Sequence, residues 1–103
     1  MQPERKALAK LRIEQAEQCL RSADALFAIG NLRGAVNRAY YAIFHGMRSV
    51  LALEYKDFAK HSAVISYFRR NYIKNGIFTV EMSDTITELF NNRSHSDYDV
   101  FSI

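Results

Sequence analysis

Long apolar runs are missing from this chain: every apolar stretch is far shorter than the ~20 residues a membrane-spanning helix needs, so no membrane partner is expected. Cysteine is nearly absent too. Cys19 stands alone, which excludes an internal disulfide and fits a reducing, cytoplasmic setting. The first twelve residues alternate charged and apolar positions, which argues against a signal peptide. The four glycines form no phosphate-cradling loop, and the three histidines and one cysteine show no metal-ligand spacing, so neither metal nor other cofactor is expected. Repeats, low-complexity tracts, linkers and nucleophile–base spacings are also lacking. No short turn precedes an obvious recognition helix, which leaves DNA binding weakly supported.

What is present is an ordinary globular composition, 49% hydrophobic and 24% charged over 103 residues, read as one domain over 1–103. Its charge is unevenly spread. Residues 1–30 carry net +1, residues 31–75 carry +6 and residues 76–103 carry −4. The basic centre, with Arg33, Arg38, Arg48, Lys56, Lys60, Arg69, Arg70 and Lys74, can attract phosphate or form a solvated face.

Apolar positions recur at intervals of three and four and not of two, which predicts an all-α fold. A first helix is expected from about Pro3 to Ile29, with Leu8, Leu11, Ala16, Leu20, Ala23 and Phe27 buried and Gly30-Asn31 as its stop. A second spans about Leu32 to Tyr55 on a face of Val36, Tyr40, Ile43, Phe44, Met47, Val50 and Leu51, paired antiparallel with the first. Lys56 to Lys60 reads as a loop. A shorter third helix carries Val64, Ile65, Phe68 and Tyr72 and stops at Asn75-Gly76, and Thr79 caps a fourth with Met82, Ile86, Leu89 and Phe90 buried. The expected architecture is an antiparallel up-and-down bundle of four main helices.

Two polar signatures sit on this scaffold. Asn37, Tyr41, His45 and Arg48 share one face of the second helix, beside its apolar stripe. They can be core groups that satisfy one another and nearby backbone, or the wall of a cleft offering donors, an aromatic face and an imidazole to a nucleotide or RNA. Arg93 prolongs the stripe Met82–Ile86–Leu89 and can pair internally with Asp97 and Asp99 or hold a phosphate.

The stretch from Arg33 to about Asp99 resembles the HEPN superfamily, small all-helical domains that include RNA-cleaving toxins and partners of minimal nucleotidyltransferases. Gly34, Arg38, Ala39, Tyr40, Tyr41, Ala42, Phe44 and His45 match its G-x-x-x-R-A-Y-Y-A-x-F-H helix. Lys60, His61 and Ser62 match a K-x-H-S-like helix start, and Arg93, Asp97 and Tyr98 match an R-x-x-x-D-Y ending. The resemblance implies a homodimer with a polar cleft built from the second helix and the end of the fourth. It also implies a role as the HEPN member of a toxin-antitoxin-like pair with a nucleotidyltransferase.

In HEPN ribonucleases an arginine followed four to six residues later by a histidine cleaves RNA without metal. By that resemblance Arg93 stabilises phosphate charge and His95, or His45 from the other helix, carries the proton. Asn37, Arg38, Tyr41, His61 and Asp97 then line the nucleotide or RNA cleft. The spacing departs from the motif: His95 lies two residues after Arg93, and five residues on stands Tyr98, a far poorer acid or base at neutral pH. Tyr98 instead resembles the tyrosine to which a partner nucleotidyltransferase transfers AMP, or it packs at the helix end. Members of this group usually continue into a further helix, so either that helix is lacking or a second protomer covers the first two helices. Three roles follow as expectations: RNA or nucleotide binding within a pair, active ribonuclease, or a non-catalytic structural or interaction module.

Overall fold

The computed structural model describes the backbone of residues 3–99 and the side chains of residues 4–92. Four helices, and no strand among the described residues, form the fold: α1 (Pro3–Ala28), α2 (Leu32–Ala52), α3 (His61–Phe68) and α4 (Val80–Asp99). None of the described helices is long and apolar enough to cross a membrane.

The corner between α1 and α2 is fixed by backbone chemistry. Asn31 N–H donates to the Leu26 carbonyl at 2.9 Å and Gly30 N–H to that of Phe27 at 3.0 Å, closing α1 in a Schellman motif. Gly30 makes this possible with φ of 82°. Asn31 then caps α2, its side-chain oxygen accepting from Gly34 N–H at 2.9 Å. Gly30→Ala is expected to lower stability by about 1 kcal/mol, read as a shifted urea midpoint at unchanged slope, because a Cβ is strained at that φ.

The core lies between α2, α3 and α4. Tyr40, Phe44, Met47 and Leu51 of α2 meet Val64, Ile65 and Phe68 of α3 and Ile86 of α4, all buried. This matches the periodicity read from those segments. After Phe68 the backbone widens into a π turn, Arg69–Ile73, where Arg69 is clasped by α4 through the Ser83 hydroxyl and carbonyl, both at 3.0 Å, and the Thr87 hydroxyl. Thr79 caps α4 as expected, its hydroxyl accepting from Met82 N–H at 3.2 Å.

The first helix departs from expectation. Its face against α2 is made of Ala9, Arg12 and Ala23, whereas Leu8, Leu11, Leu20 and Phe27 are exposed. Small side chains let the two backbones approach closely, and the larger residues flank the contact on both sides. Polar ties cross the same seam. Ser49 donates to the Ala9 carbonyl at 3.1 Å, and Arg5 donates to the Leu53 carbonyl at 2.8 Å from a place over the Tyr55 ring. α2 is also shorter than expected: it ends at Ala52, and Tyr55 takes a left-handed φ of 58° in the turn that follows.

Candidate nucleotide or RNA cleft

Residues 37, 38, 41, 45 and 48 recur along α2 at helical spacing, so one wall of the cleft is a single helix face. The opposing wall begins with His61, the first residue of α3. The Tyr40 hydroxyl and His61 Nδ1 are hydrogen-bonded at 2.8 Å, with donor and acceptor set by the tautomer. The imidazole also stacks on Phe44, centroids 3.9 Å apart. His61 is therefore held on two sides by core residues of α2.

Tyr41 links the rest. Its ring stands edge-on to Tyr40 at 5.1 Å and to His61 at 5.8 Å, and lies 6.2 Å from the His45 ring. The Arg38 guanidinium sits 5.1 Å from the Tyr41 centroid. It is steered there by Asn37, whose side-chain oxygen accepts from Arg38 Nε at 3.2 Å and Nη2 at 2.8 Å. Asn37 thus acts first on Arg38, orienting a cation over an aromatic face.

His45 has a distinct environment. Its Nδ1 is buried with no hydrogen-bond partner among the described residues. Burial, and then the positive charges of Arg48, Arg12, Arg38 and His61, hold its pKa below the ordinary 6.5. The imidazole is neutral at pH 7, and these surroundings oppose its protonation.

Beyond His45 the cleft is closed by three charged groups on three elements. Arg48 holds Asp57 through two bonds, Nε to Oδ1 at 3.2 Å and Nη2 to Oδ2 at 2.8 Å. From α1, Arg12 reaches the same Oδ2 at 3.2 Å and the Arg48 carbonyl at 3.3 Å. Phe58 N–H adds a bond to Oδ1 at 2.9 Å. Two arginines against one carboxylate leave a net positive charge here. The sequence reading missed Arg12 and Asp57 in this role. A signal existed: Ala9, Ala16 and Ala23 recur every seven residues as a close-approach face, and Arg12 falls on it.

The structure thus brings together Asn37, Arg38, Tyr41, His45 and His61. The side chains of Arg93, His95, Asp97 and Tyr98 lie outside the described residues; their backbone belongs to α4. Phe90 of α4 meets Tyr40 at 5.9 Å, and α4 starts near the far end of α2, where Phe78 packs on Tyr72 and Tyr72 donates to Glu54. The two helices are antiparallel, so three residues past Phe90, about 4.5 Å along the axis, the Arg93 position reaches the level of Asn37. Among the described residues no three His, Cys, Asp or Glu side chains gather as a metal site requires.

Four helices, with no strand among the described residues, carrying basic and aromatic side chains along the central one define a small all-helical module. The chain belongs to the HEPN domain family, which it matches over residues 9–103. It is 34% identical over 84 residues to a Thermotoga maritima protein named "UPF0332 protein", a match covering 82% of this chain and 64% of that protein. Two Methanocaldococcus jannaschii proteins named "Putative toxin MJ0142" and "Putative toxin MJ0605" are 34% and 37% identical, over 92% and 84% of this chain. The chain spans 64% of the length of each of these three relatives. No solved structure gives a significant match.

Proposed function

We propose that this chain is the HEPN member of a toxin-antitoxin-like pair, binding RNA or a nucleotide in the α2–α3 cleft and working with a separately encoded nucleotidyltransferase. The observation that carries the reading is the chain of contacts through Arg38, Tyr41, His45 and His61, which sets a cation, an aromatic ring and two imidazoles side by side. Such a surface suits a phosphodiester with unstacked bases. The toxin names of two relatives support the same class. In this proposal two copies associate through the apolar flanks of α1, where Leu11, Leu20 and Phe27 are exposed, and Tyr98 is the residue a partner would modify.

The test is binding of a labelled single-stranded RNA at several salt concentrations. Arg38→Ala is expected to weaken binding about tenfold and to reduce the salt slope by about one. Unchanged affinity and slope would remove the cleft from the RNA path.

The unpartnered Nδ1 of His45 supports a second reading, metal-independent RNA cleavage with Arg93 stabilising phosphate charge and His45 or His95 carrying the proton. Under it, wild-type protein cleaves a mixed RNA pool in the presence of chelator, and Arg93→Ala loses cleavage at an unchanged unfolding midpoint. Wild-type protein that binds RNA and leaves it intact would eliminate this reading and retain the first.

A further inference from the structure

The segment Lys56–Lys60 belongs to neither wall. It connects α2 to α3 as Lys-Asp-Phe-Ala-Lys, alternating cations with an aromatic ring and a lone acid. The acid is already spent. Asp57 accepts four hydrogen bonds, two on each oxygen, from Arg48, Arg12 and Phe58 N–H. What the segment offers outward is therefore cationic and aromatic: Lys56, Phe58 and Lys60 are all exposed.

Phe58 is held in place while exposed. Its backbone is tied to Asp57, its ring packs 5.4 Å from Tyr67, and 37% of the residue remains open to solvent. Beside it lies a groove of about 380 Å³ lined by Phe44, Arg48, Asp57, Phe58, Ala59 and His61. This volume falls within the roughly 300–1,000 Å³ of small-ligand sites. The groove continues the cleft, because Arg48 and His61 line both. From Arg38 to Arg48 the α2 face runs about 15 Å at helical rise, longer than a single nucleotide.

We propose that this groove is a nucleobase subsite of the RNA cleft, with Phe58 as the stacking platform and Lys56 and Lys60 holding the flanking phosphates. The proposal rests on the RNA reading of the cleft and names its substrate as single-stranded RNA, since a base must leave its stack to reach Phe58. Cation and aromatic ring side by side are what sequence-tolerant single-strand binding uses. The saturated carboxylate of Asp57 gives the subsite no spare acceptor with which to read a base edge, so recognition there is by stacking.

The test uses an octauridylate, an abasic strand with the same phosphates, and the full chain. Because the sequence contains no tryptophan, Phe58→Trp provides a fluorophore at the site. The octauridylate is expected to change its emission, whereas the abasic strand is not. Phe58→Ala is expected to bind the octauridylate about tenfold more weakly with an unchanged salt slope, and Phe58→Trp to restore affinity. Lys56→Ala combined with Lys60→Ala is expected to lower the salt slope by about 1.4. If Arg38→Ala weakens octauridylate binding while Phe58→Ala does not, the subsite is overturned and the cleft stands. Absence of binding by the wild type would overturn both.

Discussion

Phe68→Ala is expected to lower the unfolding free energy by about 3–5 kcal/mol, read as a large fall in urea midpoint with little change in slope. The side chain is 1% exposed and lies against Tyr72 and Phe78, with ring centroids at 5.4 and 5.2 Å. It therefore joins the last turn of α3, the π turn and the approach to α4. Removing the ring loses its transfer energy and leaves a space bounded by aromatic groups that are held elsewhere, Tyr72 by its hydrogen bond to Glu54. A domain of this size has total stability on the order of 5–15 kcal/mol, so the variant should lose a large share of it. Phe68→Leu, which keeps most of the volume, should cost about 1–1.5 kcal/mol. A loss below that for the alanine variant would mean that α3 does not anchor the core.

Asp57→Ala carries the next largest effect, a loss of about 2–4 kcal/mol. It leaves Arg12, only 8% exposed, without its carboxylate, and leaves Arg48 without its two-bond acceptor. The figure stays below that of a fully buried pair because the Asp57 side chain is 45% exposed, and water can replace part of what is lost. The same carboxylate predicts a pH dependence. Its hydrogen bond to Arg48, helped by the Phe58 N–H and the two arginine charges and opposed by burial, holds its pKa below the ordinary 3.8. The unfolded chain thus takes up this proton first. The stabilisation is complete above that ordinary value and is lost as pH falls through the lower, folded one. Below about pH 4 wild-type stability should fall more steeply than that of Asp57→Asn. Parallel curves would show that the ion pair contributes nothing in solution.

How far the sequence was legible differs from helix to helix, for a physical reason. In α2 large apolar residues point inward at every turn, so Tyr40, Phe44, Met47 and Leu51 were placed correctly by periodicity alone. In α1 the rule that large residues are buried misled, because close approach selects alanines and leaves leucines at the flanks. The helix ends were readable where their chemistry is local, as at Gly30, Asn31 and Thr79. The cleft was readable as far as one helix carries it, since Asn37, Tyr41, His45 and Arg48 share a face by spacing. Its other side was not: the Tyr40–His61 bond spans 21 positions and the Arg12–Asp57 bond 45. Such pairings depend on how the chain returns on itself, which no local pattern records.

The seam between α1 and α2 has one more implication. Contacts among alanines are nearly indifferent to sliding, since a shift of two turns, about 10.5 Å, exchanges Ala9 for Ala16 and Ala16 for Ala23. The directional bonds are not indifferent. Such a slip would separate the Ser49 hydroxyl from the Ala9 carbonyl, Arg5 from Leu53 and Arg12 from Asp57, and the last would strand a buried cation. Hydrocarbon holds the hairpin together, while its axial alignment is written in directional polar bonds, and through Arg12 that alignment reaches the mouth of the cleft.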